Sequence, residues 1–133
     1  MMVDTSIWID YLYYNRHPEL CDYLDRYLKS DNSISCTPVI FQEVLQGVRK
    51  DSDFLRLRED FLTYRYFQFN NQLRAAEDAA AIFRKCRKNG LTIRKANDCM
   101  IALICLHYDL ELLHADHDFD MISKLYPLKT VPV

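Results

Sequence analysis

The sequence has few of the residues that interrupt secondary structure. Its 133 residues include only two glycines and four prolines, and no segment has the composition of a flexible linker. It contains no internal repeat and no low-complexity segment, so no repeat architecture is expected. The length is typical of one domain, and half of the residues are apolar, which is enough for a core without a structural metal. We therefore predict a single domain over residues 1–133.

Long apolar runs and secretion signals are also missing. Charged residues interrupt every apolar stretch well before the roughly 18 residues of a membrane span, so no transmembrane helix is expected. The N-terminus has no basic segment followed by an apolar one, so no signal peptide is expected. The five cysteines form an odd set without a CxxC pair, and each lies in an apolar or amphipathic stretch. Free, buried thiols in the reducing cytoplasm are the expected state.

An excess of basic charge is absent too, since the net charge is −2. This balance alone weighs weakly against a nucleic-acid-binding protein, but the charge is unevenly distributed. Residues 74–95 carry seven bases and two acids, whereas residues 1–35 carry six acids and three bases. Residues 98–133 carry six acids and two bases. A basic middle section between acidic ends is compatible with a polyanionic substrate.

Short β-prone segments alternate with helical patterns along the chain. Strands are predicted to end at Val3 and to form in "SISCTP", "RYFQF", "LELLHA" and "LKTVPV". Between them lie segments with helical spacing, such as "PELCDYLDRYLK" and the nearly all-apolar "NDCMIALICLHYDL". Gly90 follows the long helical segment 71–89 as a C-terminal cap residue. The alternation predicts an α/β fold, a three-layer α/β/α sandwich with a central, mostly parallel sheet.

Four acidic residues lie where strands end or helices begin. Asp4 directly follows the first strand, and Asp116 directly follows "LELLHA". Asp98 lies at the start of the apolar helix, which we expect it to cap as well, and Glu43 lies in the helix after the second strand. In a parallel sheet, all four point toward the carboxyl edge, where ligands bind. Clustered carboxylates repel one another unless a cation is present. Mg²⁺ or Mn²⁺ would neutralise this charge and could also support phosphodiester hydrolysis.

Taken together, these segments resemble the PIN-domain nucleases, and among them the VapC-type toxins of toxin–antitoxin pairs. The matching segments are "VDTSIWIDYL", "FQEVLQG", "NDCMIALICLHYDLELLHADHDFDMI" and "LKTV", in the family's order over essentially the whole chain. The resemblance implies Mg²⁺ or Mn²⁺, endonucleolytic cleavage of single-stranded RNA that inhibits translation, an antitoxin partner and a homodimer. It places the catalytic acids on Asp4, Glu43, Asp98 and Asp116. It places the neighbouring hydroxyl on Thr5 or Ser6.

The motif "ADHDFD" contains three acids, of which Asp116 and Asp118 compete for one position in the site. Asp116 ends the strand, so we assign it to the metal together with Asp4 and Asp98. Asp118 precedes a short helical pattern, so we assign it mainly to the N-cap of that helix. Glu43 and Asp118 are kept as further candidate ligands of the metal.

Other polar residues near these acids have more than one interpretation. His114 and His117 are ligand types that zinc accepts, but their segment straddles a strand end and no further spacing supports a zinc site. Arg94 and Lys95 immediately precede the acidic site, and contact with RNA phosphates is as compatible with the sequence as simple solvation. Ser6 either caps the first helix or lies in the site.

Two other functions remain as alternatives. A receiver-like signalling domain requires paired acids after the first strand, but only Asp4 follows it. A catalytically inactive scaffold of the same fold is opposed by the complete acidic set. Three further acids, Asp10, Asp22 and Asp25, are predicted to lie on solvated faces. The aromatic run in "WIDYLYY" is compatible with core packing, a dimer face or a groove for an antitoxin peptide.

Overall fold

The computed structural model describes residues 1–132, in which short strands alternate with helices. Four strands, β1 to β4, comprise Met2–Val3, Ser35–Cys36, Arg65–Tyr66 and Leu112–Leu113. Seven α-helices, α1 to α7, comprise Thr5–Ile9, Pro18–Lys29, Pro38–Gln46, Asp51–Leu62, Gln72–Lys88, Ala96–His107 and His117–Ser123. A π-helical segment, Asp10–Tyr14, continues α1. The predicted alternation of strands and helices is confirmed.

The sheet is parallel throughout the described residues, with the strand order β3-β2-β1-β4. Met2 pairs with Ser35 on one side and with Leu112 on the other, and Cys36 pairs with Tyr66. The chain runs outward from β1 through β2 to β3, and then returns to place β4 on the other side of β1. The strand order therefore reverses next to β1, and open α/β sheets bind ligands at this point.

Helices cover both faces of the sheet, so the fold is the predicted three-layer α/β/α sandwich. Helices α1, α3 and α4 pack against one another, and α5, α6 and α7 form a second packed group. The core joins strand residues such as Val3 and Leu112 to Leu24, Ile40 and Ile101 of the helices. Helix α6 is buried on most sides, as its nearly continuous apolar sequence predicts. Among residues 1–132, no helix is both long and apolar enough to span a membrane.

The last predicted strand, "LKTVPV", is reduced to a single bridge. Thr130 pairs with Leu112 in parallel orientation, and Leu112 donates to Lys129 O at 2.9 Å and accepts from Val131 N at 3.0 Å. The neighbouring strand β4 has only two residues, so it offers no partner for a longer ladder. Val133, also part of the predicted strand, lies outside the described residues.

Helix α5 ends as the sequence predicts. Gly90 has a φ of +73°, which is the left-handed conformation that favours glycine. The N–H of Leu91 then donates to the carbonyl of Cys86 at 2.9 Å and closes the helix end. A β-carbon on Gly90 would meet nothing within 4 Å. The backbone conformation, and not a lack of space, is therefore what favours glycine here.

The five cysteines are free and buried, as predicted. Burial raises the pKa of Cys36 to about 11 and the pKa of Cys105 to about 12. Burial likewise raises the pKa of Cys99 to about 12. These groups are therefore neutral thiols near pH 7, and they pack as small apolar side chains.

One acid that was predicted to be solvated is buried. Asp10 is only 5% exposed, and its carboxylate accepts hydrogen bonds from Arg16 N at 2.6 Å and from His17 N at 2.8 Å. The prediction for Asp10 is wrong because these backbone groups, which follow the π-helical segment, turn back toward the carboxylate. Asp22 is exposed as predicted, and Asp25 is half-buried.

We expect Asp10→Asn to destabilise the protein at neutral pH. Burial opposes the charged carboxylate, but the N–H groups of Arg16 and His17 outweigh it and hold the pKa of Asp10 below its usual value. A lowered pKa in the folded state stabilises the fold above the unfolded-state pKa of about 4. This contribution is lost as the pH falls through the folded-state value. The variant should lose roughly 2 kcal/mol at pH 7, the usual contribution of charged hydrogen bonds.

Urea unfolding at pH 7 and at pH 3 measures this effect. The difference between wild type and Asp10→Asn should be smaller at the lower pH, where the Asp10 carboxylate of the unfolded chain is largely protonated. Asp22→Asn is the matched control, because Asp22 is exposed on α2. Equal stability of wild type and Asp10→Asn at pH 7 would show that the charge of Asp10 does not strengthen its hydrogen bonds to Arg16 N and His17 N.

Candidate active site

Asp4 joins the end of β1 to the start of α1. It is the N-cap of α1, and its Oδ2 accepts hydrogen bonds from Ser6 N at 3.1 Å and from Ser6 Oγ at 2.6 Å. Ser6 Oγ in turn accepts from Ala115 N at 3.4 Å, which ties the end of β1 to the segment after β4. Of the two interpretations of Ser6, the N-cap is therefore wrong, because Asp4 caps this helix. Ser6 lies beside the acids.

Asp98 lies in the first turn of α6 and is 4% exposed. Its Oδ2 has no hydrogen-bond partner among residues 1–132. Burial, and then the negative charge of Asp4, raise the pKa of Asp98 to about 8, and the nearby Lys95 offsets only part of this. The expectation that Asp98 also caps α6 is wrong. Lys95 occupies the N-cap position, and no side chain donates or accepts a capping hydrogen bond there.

Asp116 and Asp118 of "ADHDFD" differ from their predicted local roles. Asp116 is the N-cap of α7, because its Oδ1 accepts from Asp118 N at 3.0 Å. Asp118 is fully buried, and its carboxylate accepts from Arg94 N at 3.0 Å and from Lys95 N at 2.8 Å. The prediction that Asp118 caps this helix is wrong, because the cap lies two residues earlier. The Asp118 side chain instead holds the loop before α6.

The side chain of Lys95 reaches the acidic residues from the start of α6. Its ammonium group contacts Asp116 Oδ2 and lies 3.8 Å from Asp98 Oδ2. Burial opposes the charge of Lys95, but the contact with Asp116 and the charge of Asp98 outweigh it and raise the pKa of Lys95. Burial likewise opposes the charge of Asp116, but Lys95 and the N–H of Asp118 hold the pKa of Asp116 below its usual value. Arg94 and Lys95 are both exposed, but within residues 1–132 only Lys95 forms an ion pair with these acids.

Glu43 approaches the acids from α3. Its buried Oε1 makes no hydrogen bond of regular geometry within residues 1–132, and neither does Thr5 Oγ1. Burial, and then the charge of Asp4, raise the pKa of Glu43, while Lys95 and the nearby Thr5 hydroxyl act in the opposite direction. The fold thus brings the four acids from separate parts of the sequence to one edge of the sheet.

This cluster has the chemistry of a site for a hard divalent cation. Carboxylate oxygens of Asp98, Asp116 and Asp118 lie within 4.8 Å of one another, and Asp4 is close enough to Asp98 to raise its pKa. Asp98 Oδ2 accepts no hydrogen bond and is available as a ligand atom, and the Lys95 ammonium group 3.8 Å away offsets only part of the cost of keeping it ionised. Carboxylate oxygens favour Mg²⁺, Mn²⁺ or Ca²⁺ over softer ions. The residues present therefore fit such an ion.

The zinc interpretation of "HADHD" receives no support from the geometry. Among residues 1–132, the three residues that converge at ligand distance are all aspartates. His114 packs its ring against Phe119, and its Nδ1 accepts from Asp116 N at 3.2 Å. His117 is exposed. The two histidines therefore do not converge with the acids.

Sequence reasoning missed two features of this site. The first is Lys95 as a cation among the acids, for which the spacing of three residues between Lys95 and Asp98 on a helix was a usable signal. The second is Asp118 as an anchor for backbone N–H groups. The spacing of Asp116 and Asp118 was informative too, since an aspartate often accepts from the N–H two residues later.

The fold and the acidic cluster together define a class of protein. It is a parallel α/β sandwich that presents several carboxylates where the strand order reverses, a type of site that binds divalent cations. The sequence model of the PIN domain matches residues 1–125. The chain therefore belongs to the PIN domain family.

Individual relatives agree with this assignment. The chain is 28% identical over 132 residues to Ribonuclease VapC11 of Mycobacterium tuberculosis. This alignment covers 97% of this chain and 96% of the relative. It superposes with a TM-score of 0.69 on VapBC-1 from nontypeable Haemophilus influenzae, at 20% identity and with 98% and 95% of the two chains covered. The TM-score is also 0.69 for VapBC2 from Rickettsia felis bound to a DNA fragment from its promoter, at 16% identity and with 98% and 96% covered. These superpositions confirm the predicted fold.

Proposed function

We propose that this PIN domain is a metal-dependent endoribonuclease and the toxin of a toxin–antitoxin pair. The observation that carries the proposal is the acidic cluster, in which a buried oxygen of Asp98 has no hydrogen-bond partner and Asp98 and Glu43 both have raised pKa values. Such a cluster favours a bound cation over bare carboxylates. The similarity to Ribonuclease VapC11 supports RNA as the substrate class, and the family resemblance alone adds that the RNA is single-stranded. We further propose that residues 1–133 form one domain and that its cleavage of RNA inhibits translation.

Three aspartates, Asp4, Asp98 and Asp116, would hold Mg²⁺ or Mn²⁺, with Glu43 as a further candidate ligand. Asp118 is less suitable, because its two oxygens already accept hydrogen bonds from backbone N–H groups. When bound, such an ion supplies Lewis acidity toward the phosphodiester and toward the attacking water.

The remaining side chains of the site would move protons and balance charge. Glu43 would accept a proton from the attacking water, since burial and Asp4 raise its pKa toward the range of a general base. Lys95 would compensate the negative charge of the phosphate, because its ammonium group already lies among the acids. The hydroxyls of Thr5 and Ser6 would position the substrate or the acids beside it.

An antitoxin protein is the proposed partner, because the chain superposes on VapBC structures along nearly its whole length. A homodimer is proposed on the family resemblance alone. The receiver-like alternative is set aside because the chain belongs to the PIN domain family. A catalytically inactive PIN fold is the alternative that experiment has to exclude.

Cleavage of single-stranded RNA by the purified protein should require Mg²⁺ or Mn²⁺ and should stop in EDTA. The reason is that the four acids repel one another and the substrate phosphate unless a cation is present. Activity is measured as the release of fragments from a labelled RNA, and Mn²⁺ added after dialysis should restore it. Full activity in chelator, with metal shown to be absent by elemental analysis, would refute the mechanism.

A further inference from the structure

A surface cleft lies beside the acidic cluster, at the far ends of α1 and α3. It has a volume of about 620 Å³, and we call it the tyrosine cleft. Its walls include Tyr13, Tyr14, Gly47, Arg49, Lys50 and Asp53. None of the acids in that cluster lines it, so it is a separate surface feature of the molecule.

Helices α1 and α3 lead from the acids to this cleft. At the acid end, the Thr5 hydroxyl lies near the Glu43 carboxylate. Four residues further along each helix, the position of a β-carbon on Gly47 would lie 3.5 Å from Ile9 Cδ1. Four residues correspond to one helical turn, or about 6 Å. The near wall of the cleft, at Ile9 and Gly47, is therefore about one helical turn from the acids, and Tyr13, Arg49 and Lys50 lie further along the chain.

The tyrosine cleft carries basic charge that no acid neutralises. Arg49 and Lys50 are exposed, and neither forms an ion pair within residues 1–132. Asp53 also lines the cleft, but its carboxylate already pairs with Arg56 at 3.3 Å. Arg16 adds a further positive charge at the rim, where its guanidinium lies 4.3 Å from the centre of the Tyr14 ring. This charge favours an anionic ligand, such as the phosphates of a nucleic acid, over a neutral or cationic one.

Two aromatic rings complete the cleft. Tyr13 is 48% exposed and Tyr14 is 58% exposed, which is unusual for such large side chains. The hydrogen bonds from Arg16 N and His17 N to the buried Asp10 hold the backbone just after these residues. Proteins bind single-stranded nucleic acids by stacking bases on exposed aromatic rings and by contacting phosphates with basic side chains. The tyrosine cleft offers both kinds of group.

We propose that the tyrosine cleft is a binding subsite for single-stranded RNA, in which Tyr13 stacks on a base and Arg49 and Lys50 contact the phosphates that flank it. The proposal rests on the proposed ribonuclease function. Tyr14 is the less suitable platform for a base, because the Arg16 guanidinium covers one face of its ring.

Fluorescence anisotropy with a random-sequence RNA of about 12 nucleotides tests the subsite. The parent protein is Asp98→Asn, so that bound RNA is not cleaved. Replacing Arg49 and Lys50 together by Ala should reduce the slope of log affinity against log salt by roughly 1.4, since each lost phosphate contact accounts for about 0.7. Tyr13→Ala should weaken binding roughly tenfold, whereas Tyr13→Phe should retain the parent affinity.

Arg84 and Lys88 supply the matched control, since they are an exposed Arg and Lys on α5. Their double replacement by Ala should leave the salt slope nearer to that of the parent. Equal slopes for the two double variants would overturn the proposal, and so would unchanged RNA binding combined with loss of binding to the partner protein. If the parent itself binds no RNA, the proposed ribonuclease function fails as well. If the parent binds and every cleft variant binds equally, the subsite alone fails.

Discussion

Asp98→Asn and Asp4→Asn should each reduce RNA cleavage by roughly a hundredfold or more while the protein still folds. Even residues that only orient metal ligands contribute about 10- to 100-fold to affinity or activity, so the loss of a direct ligand should match or exceed that. Asn is also a good N-cap residue, so Asp4→Asn should preserve the start of α1. Asp31→Asn, an exposed acid in the loop after α2, is the control.

In metal-free buffer, Asp98→Asn should also raise the melting temperature at pH 7 by a few degrees. Burial and the charge of Asp4 raise the pKa of Asp98 to about 8. A raised carboxyl pKa means that stability is greatest below the unfolded-state value of about 4 and decreases as the pH rises toward 8. The amide removes this penalty. A large drop in melting temperature for both variants would show that these acids are structural.

Asp118→Ala should destabilise the protein by roughly 3 kcal/mol, more than Asp116→Ala, which should lose about 1 kcal/mol, as for a lost N-cap. The difference arises because Asp118 is fully buried and accepts from Arg94 N and Lys95 N, whereas Asp116 is partly exposed. Removing Asp118 leaves these N–H groups without their acceptor and frees the loop before α6.

For metal binding and RNA cleavage, the larger loss should come from the replacement of Asp116 and the smaller loss from the replacement of Asp118. Asp116→Ala should lose metal binding and cleavage, while Asp118→Asn, which keeps an acceptor oxygen, should retain part of both. Urea unfolding and metal titration by calorimetry measure the two effects. Equal stability losses for the two alanine variants would contradict the role of Asp118 as an acceptor for Arg94 N and Lys95 N. Metal binding that survives in Asp116→Ala would contradict the assignment of Asp116 to the metal.

The fold and the positions of the acids were predictable because they depend on local pattern and simple topology. Asp4 and Asp116 follow strands, and parallel pairing brings the ends of β1 and β4 to one edge. The periodicity of α6 and the glycine after α5 required only local spacing. The predicted length of the final strand was too great, because a strand can pair only along the length of its neighbour, and β4 has only two residues.

The directions of individual side chains were not predictable in the same way. Asp118 accepts from an N–H that is 24 residues earlier in the chain, and sequence spacing does not reveal such a pairing. Asp10 was assigned to a solvated face, but it begins a π-helical segment, and the N–H groups of Arg16 and His17 beyond that segment donate to its carboxylate. Both errors concern acids that bind backbone N–H groups, and such partners carry no signature in the side-chain pattern.

The buried cysteines have a consequence for the chemical durability of the protein. Oxidants and alkylating reagents attack the thiolate, and the folded chain offers almost none, because burial keeps these sulfur atoms protonated. No disulfide contributes to the fold among the described residues, so a reducing environment removes no cross-link there. Modification of a sulfur atom requires an opening of the core, and its rate therefore reports how often the native structure opens.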